Sequence, residues 1–415
     1  MSDIGRTLER REPSSPPLRL NWLIAATLLG CGAVLYIGFY IHYLTTLNGI
    51  FDASNHPVGR DFLVFWSAAK LTAAGQVALI FDPYDFYAAQ QQLLGGTFPM
   101  HNWSYPPQLL LPIRPFGWLP YISAYLVWLA LGLSLYLFVA LRGDTPLRRL
   151  MPVAAAALFL APSSFVNIVA GQNGFFAGAL FIGGMLLVRR HPLAAGVLFG
   201  LLTFKPQLGV LIPVALIALR QWKPFVSAIL SAGAIVALSV AVEGAEVWRL
   251  FVVESVPFQA RIMGIAGGFF TWMMPTVFMA GRLLGFDPAL NHILQLISGL
   301  AAVVATYWAF RTSRDLPTQL AVISIATFLV VPYAFNYDMT IVAFGLACYA
   351  VAQADRGFLP FERLVLALLW ALPFLVMPFG AAGLPLGPLV LWLGLGFVLW
   401  HIRLDRAAPP NRLTP

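Results

Sequence analysis

Residues 151–190 read MPVAAAALFLAPSSFVNIVAGQNGFFAGALFIGGMLLVRR, with no Asp, Glu, Lys or Arg before Arg189. Two apolar runs, 150–170 and 174–188, flank the polar turn Gly171-Gln172-Asn173-Gly174, and arginines sit beyond them at Arg148-Arg149 and Arg189-Arg190. Such runs are membrane segments, and lipid offers the backbone no hydrogen-bond partner, so each must be helical. Arginine on both flanks sets those flanks in the cytoplasm and the turn outside.

The same grammar extends in both directions. Apolar runs recur at 20–41, 121–141, 192–204, 207–219, 224–242, 270–284, 290–310, 318–335, 337–353, 363–380 and 383–400. If 270–284, which carries Pro275, Gly281 and Arg282, is re-entrant or interfacial, about twelve crossings remain, and 18 of the 25 Lys and Arg fall on one side. The expected fold class is therefore all-α, a multispanning membrane bundle. Its expected parts are a cytoplasmic tail at 1–19, one transmembrane domain at 20–402 whose first span is retained, and a cytoplasmic tail at 403–415. Composition agrees. Hydrophobic residues are 60% of the chain, charged residues 10%, and mean hydropathy is +0.80, against about 25% charged in a soluble domain. The two cysteines, Cys31 and Cys348, give neither a disulfide framework nor zinc spacing. The net charge of +8 is scattered in short clusters between apolar runs, which excludes a nucleic-acid patch.

Two outer segments are long, 42–120 and 243–285. The first is too apolar for a free linker. Phe62 to Trp66 and Leu71 to Ala78 predict an amphipathic helix lying on the membrane face. Unusual polar groups collect at the outer ends of the spans: Arg60-Asp61, Trp103-Ser104-Tyr105, Gln172-Asn173, Lys205-Pro206-Gln207 and Asn336-Tyr337-Asp338. Each has a plain structural reading. Asp61 and Asp338 can cap helices, Asn173-Gly174 can be a tight turn, Lys205 can snorkel, and Trp103 and Tyr105 can anchor in the interface. Their convergence on one face argues instead for a hydrated outer cavity, because an ionised side chain inside lipid costs about 2.5–3.5 kcal/mol.

A carboxylate and a cation at a membrane edge suit a substrate that is half lipid and half polar, such as a polyprenyl-phosphate sugar. Lys205 or Arg261 can hold the phosphate. Asp61 can take the proton of an attacking hydroxyl. The loosely spread Asp52, Asp61, Asp82 and Asp85 do not make a metal set, and neither metal nor cofactor is expected.

The ordered motifs resemble glycosyltransferase family 87 of the GT-C superfamily. They are Gly59-Arg60-Asp61-Phe62 with Phe65-Trp66-Ser67-Ala68-Ala69 and Gly75, Phe81-Asp82-Pro83, Tyr105-Pro106-Pro107 with Trp128, Gly171-Gln172-Asn173-Gly174, Gly196 through Gly200 leading to Lys205-Pro206-Gln207, and Tyr337-Asp338. The resemblance covers roughly 20–350. It implies a GT-C-like bundle with a structured first outer loop, a polyprenyl-phosphate sugar donor, with mannose as the sugar by likeness to mycobacterial α-mannosyltransferases, and inversion at the anomeric carbon. It implies Asp61 as the catalytic acidic residue. Lys205, Arg60 and Arg261 are the expected donor-phosphate ligands, and Tyr105, Gln172, Asn173, Gln207, Tyr337 and Asp338 the expected substrate-binding residues. The expected partners are that donor, a lipid or glycan acceptor and membrane lipids, with no nucleic acid and no obligate protein partner. The expected location is the inner membrane, with the site facing outward. The alternative is a transporter or flippase of an amphiphilic solute, which predicts polar groups at span centres and paired halves.

Overall fold

The computed structural model describes residues 18–407, with side chains from Gly30 onward. Residues 1–17 and 408–415 lie outside the described residues, and most of the expected 1–19 tail and the end of the 403–415 tail fall there. The chain divides into two units, 1–46 and 47–415. The first contains the helix Leu18–Thr45. The second contains everything discussed below. Among the described residues the structure is helical throughout, and β pairing is confined to the isolated bridges Asn48–Phe51 and Phe51–Pro57.

Six described helices are long and apolar enough to cross a bilayer: Tyr121–Arg142, Trp222–Glu243, Pro288–Thr312, Asn336–Arg356, Glu362–Ala381 and Gly387–Ala407. The chain is an all-α multispanning membrane protein. Of the remaining runs expected among the roughly twelve crossings, 20–41 lies in the long helix Leu18–Thr45 and the others form shorter or broken helices. The 150–170 run bends by 49° between Pro146–Phe159 and Pro162–Ala170, because Pro162 has no N–H to continue the ladder and its ring crowds the preceding turn. Ser164 Oγ takes up the Leu158 carbonyl at the break (2.6 Å). The runs at 174–188, 192–204, 207–219 and 318–335 are helices of 10–17 residues.

Side-chain character decides where each helix sits. Trp222–Glu243 is only 6% buried, and Val226, Ile229 and Leu230 are all exposed. An apolar helix with that little cover belongs against lipid. Leu316–Val330 is apolar all round and is enclosed by the helices Pro288–Thr312, Thr340–Arg356 and Gly387–Ala407. Its Ser324 and Thr327 hydroxyls are satisfied within the helix by Leu320 O and Ile323 O, each 2.7 Å away.

The first long loop departs from its expected form. The helix Phe62–Ala73 does not lie on the membrane face. Every residue from Phe62 to Thr72 except Lys70 is buried. The reason lies in what covers it. Phe62 packs on Tyr121, Tyr125 and Trp128, Phe65 stacks on Trp128 at 4.9 Å, and Trp66 Nε1 donates to Leu119 O at 3.0 Å. Trp103, read as a possible interfacial anchor, is also buried there, edge-on to Phe65. The 270–284 run breaks at Pro275 into Phe269–Trp272 and Val277–Leu283. A seven-residue helix is about 10 Å long, too short to cross. Both pieces are tied to the 332–336 loop, through Asn336 N–H to Met273 O and Thr276 Oγ1 to Pro332 O, each 2.9 Å.

Candidate active site

Three chain breaks meet at one end of this unit. The first precedes the helix Phe62–Ala73. Gly59 (φ +79°) and Arg60 (φ +39°) turn the chain into it. Asp61 occupies the N-cap position but makes no cap hydrogen bond with its side chain. Its carboxylate faces outward from the helix end instead. Oδ2 accepts from Gln172 Nε2 at 2.8 Å, and Oδ1 lies 3.1 Å from His101 Nδ1. Burial acts to raise the Asp61 pKa. The contact with His101, the Gln172 hydrogen bond and the Arg60 charge act the other way and prevail, holding the carboxyl below the usual carboxylate range. Arg60 itself is turned away to Asp52, with Nη2 2.8 Å from Oδ2.

The second break is the Gly171–Gly174 turn, and its glycines explain how it reaches its neighbours. Gly171 is left-handed (φ +61°), and a Cβ there would lie 2.5 Å from both Gly59 O and Phe62 Cβ. A Cβ on Gly174 would lie 2.5 Å from Tyr337 O. The turn is thus wedged between the Asp61 loop and the third break, at 336–339. Between those glycines, Gln172 spans Asp61 and Tyr105, accepting from Tyr105 Oη at 3.1 Å. Asn167 steadies the turn from below, its amide donating to Gln172 O and accepting from Phe175 N–H, both 2.8 Å.

Asn173 Oδ1 accepts from Lys205 Nζ at 2.7 Å, and Lys205 Nζ also lies 2.5 Å from Asp338 Oδ1. The Lys205 ammonium sits 4.9 Å from the Tyr337 ring centroid, and Tyr337 stacks on Phe335. Lys205 does not snorkel: it is 2% exposed. Two buried polar atoms of this cluster, Asn173 Nδ2 and Asp338 Oδ2, have no hydrogen-bond partner.

These groups border one cavity of about 150 Å³. Asp61, Tyr105, Gln172, Lys205, Gln207 and Tyr337 all line it. Asn173 and Asp338 stand behind the wall and reach it through Lys205. Arg60 and Arg261 do not line it, and Arg261 is exposed on the helix Val256–Ile265. Sequence reasoning missed His101, Phe270 and Tyr333, which also line it, and quoted Ser104, another wall residue, without giving it a role. Only His101 carried a usable signal, as one of six histidines and two residues ahead of Trp103-Ser104-Tyr105. A second, mostly apolar trough of about 520 Å³ shares Ser104, Tyr105, Gln207 and Tyr333 with this cavity and runs along Trp248, Phe251 and Met263.

A held carboxylate and a buried ammonium share one recess of a membrane-embedded helical bundle, beside an apolar trough, an arrangement suited to group transfer at a membrane. The model of glycosyltransferase family 87 matches residues 103–332, more than half of the chain. The protein belongs to that family and is a membrane glycosyltransferase. Tyr105, Gln172, Asn173, Lys205 and Gln207 fall inside the matched span, whereas Asp61 and His101 precede it and Tyr337 and Asp338 follow it. No curated protein and no solved structure matches the chain.

Proposed function

We propose that the enzyme moves a hexose, mannose by family likeness, from a polyprenyl-phosphate sugar to the hydroxyl of a lipid or glycan acceptor, at the outer face of the inner membrane. The observation that carries this reading is the pairing of Asp61 with Lys205 in one cavity that shares four wall residues with an apolar trough. A donor with a prenyl chain, a phosphate and a sugar has parts matched to such a sequence of surfaces. The trough suits the chain. Among the described residues Lys205 is the one Lys or Arg lining the cavity, so it takes the phosphate role in preference to Arg60 and Arg261, which do not line it.

In the reaction the acceptor oxygen attacks the anomeric carbon from the face opposite the phosphate. Its proton passes to the Asp61 carboxylate, the C–O bond to phosphate breaks with its electron pair going to the phosphate oxygen, and configuration inverts. Lys205 stabilises the charge gained by the departing phosphate. Gln172 and Tyr105 fix the carboxylate on the side away from His101.

The test is a donor screen. Membranes containing the full-length protein are supplied with polyprenyl-phosphate mannose or polyprenyl-phosphate glucose, and released polyprenyl phosphate and glycosylated product are followed by mass. Turnover of one donor by the wild type but not by Asp61→Asn supports the reading. Equal turnover by both proteins removes Asp61 as base, and no turnover of either donor removes the lipid-phosphate donor.

A further inference from the structure

Beside Asp61 two histidines stand in line, His101 at the cavity wall and His56 behind it. His101 Nδ1 is 3.1 Å from Asp61 Oδ1, and His101 Nε2 is 3.2 Å from His56 Nδ1, with the two rings edge-on. His101 is buried and His56 half-buried. His56 is fixed through its backbone, which exchanges hydrogen bonds with Asp52: His56 N–H to Oδ1 at 3.0 Å and Asp52 N–H to His56 O at 2.8 Å. Asp52 is in turn held by Arg60. Neither histidine has a role in the transfer step described above, and among the described residues no three His, Cys, Asp or Glu side chains form a metal-binding group.

With both imidazoles neutral, the carboxylate sets the donor and acceptor pattern along this line. An ionised carboxylate only accepts, so the nitrogen facing it, His101 Nδ1, carries the hydrogen. A neutral imidazole then has a bare Nε2, and His56 must present Nδ1–H to it. Burial and the Arg60 charge hold His56 below the ordinary imidazole value, which favours its neutral state. The charged and titratable groups facing the line are Asp52, Arg60 and Asp61 on its own loop, and Tyr105, Tyr333 and Lys205 across the cavity.

We infer that His101 is the positioning residue of the Asp61 carboxylate, and that His56 selects the His101 tautomer which does this. The inference rests on the reading of Asp61 as base. Gln172 holds one carboxylate oxygen and His101 the other, so the group cannot rotate, while each oxygen keeps a free lone pair for the incoming hydroxyl. Loss of His101 therefore lowers kcat and leaves donor KM nearly unchanged, because the donor phosphate is assigned to Lys205 and not to His101.

The test uses the full-length protein in vesicles, polyprenyl-phosphate mannose as donor, and His101→Ala, His101→Asn and His101→Gln. His101→Ala is expected to lower kcat about 10²-fold with donor KM within about twofold. His101→Asn, whose amide N–H reaches the Nδ1 position, is expected to recover most of the rate, and His101→Gln, which reaches toward Nε2, is not. Nitrogen NMR of the histidine-labelled protein is expected to show His101 protonated at Nδ1, with the tautomer signal lost in His56→Phe and displaced in Asp61→Asn. A wild-type kcat in His101→Ala, equal rates in the Asn and Gln variants, or a His101 protonated at Nε2 would overturn the inference. If Asp61→Asn is inactive while His101→Ala is fully active, only this inference fails. If Asp61→Asn is active, the base reading fails with it. If the wild type does not turn over the donor, the tautomer measurement still decides, since it needs no substrate.

Discussion

Lys205 and Asp338, 133 residues apart in sequence, form an ion pair whose side chains are 2% and 0% exposed. Around it the protein supplies one further acceptor, Asn173 Oδ1, and the Tyr337 ring, while Asp338 Oδ2 stays unpaired. A pair this deep is costly to form and more costly to break, since removing one partner strands the other charge. Lys205 therefore has a structural duty as well as the phosphate role proposed for it.

Lys205→Met is expected to destabilise the folded protein by about 3–5 kcal/mol, and Lys205→Met with Asp338→Leu to recover most of that loss. Thermal unfolding in detergent reads both. Activity separates stability from function: the double variant should be stable and inactive. A double variant as unstable as the single one would show that the pair does not act as a unit.

Asp61→Asn keeps the hydrogen bond from Gln172 in reach and removes the base. Transfer should fall by about 10²–10⁴-fold with the unfolding temperature little changed. The pH dependence follows from the lowered Asp61 pKa. A carboxyl whose folded value lies below its unfolded value of about 4 contributes stability above that range, and this is lost as pH falls through the folded value. Asp61 is thus ionised near neutrality, and kcat should stay level there and fall only in acid, as the carboxylate takes up its proton. A pH–rate profile of the wild type checks this, and a loss of kcat already between neutrality and the ordinary carboxylate range would contradict it.

Gly171→Ala places a methyl group 2.5 Å from Gly59 O and Phe62 Cβ at a left-handed backbone position. It should push the turn off the Asp61 loop, costing stability by about 2 kcal/mol or more and most of the activity. Gly285→Ala is the control. It has the same sign of φ (+71°) with nothing within 4 Å of the added atom, so it should cost only the strain of about 1 kcal/mol and leave turnover intact. Comparable loss in both variants would mean that backbone strain, and not the wedge, explains Gly171.

At the far end of the helix Thr340–Arg356, Glu362 is fully buried and accepts from Tyr349 Oη (2.8 Å) and Leu359 N–H (2.7 Å), with His401 Nε2 at 2.8 Å. Glu362→Ala leaves those groups buried without an acceptor, at about 1–3 kcal/mol each. It should lower the unfolding temperature sharply while the folded fraction retains wild-type kcat, measured as activity per native molecule. A proportionate loss of kcat in the native fraction would tie this network to the site.

Much of the architecture was legible because hydropathy is additive along the chain. The runs 121–141, 224–242, 290–310 and 363–380 became the helices Tyr121–Arg142, Trp222–Glu243, Pro288–Thr312 and Glu362–Ala381 with ends displaced by only a few residues. The polar breaks at Asp61, Gln172, Lys205 and Asp338 were legible for the same reason: each interrupts an apolar background. Hydropathy does not reveal what covers an apolar helix. Phe62–Ala73 is apolar because aromatic rings from two other segments, the Trp103 loop and the helix Tyr121–Arg142, cover it, where periodicity alone suggested a membrane surface.

Local composition alone therefore established a lipid-embedded helical protein and the short list of polar interruptions. Which of those interruptions touch depended on contacts between residues 32 to 133 positions apart. Those distances follow from helix bends, two crowded glycines and the direction in which each chain break turns. That is why Arg261 was indistinguishable from Lys205 in sequence yet lies outside the cavity, and why His101, an unremarked histidine in an aromatic loop, stands against Asp61.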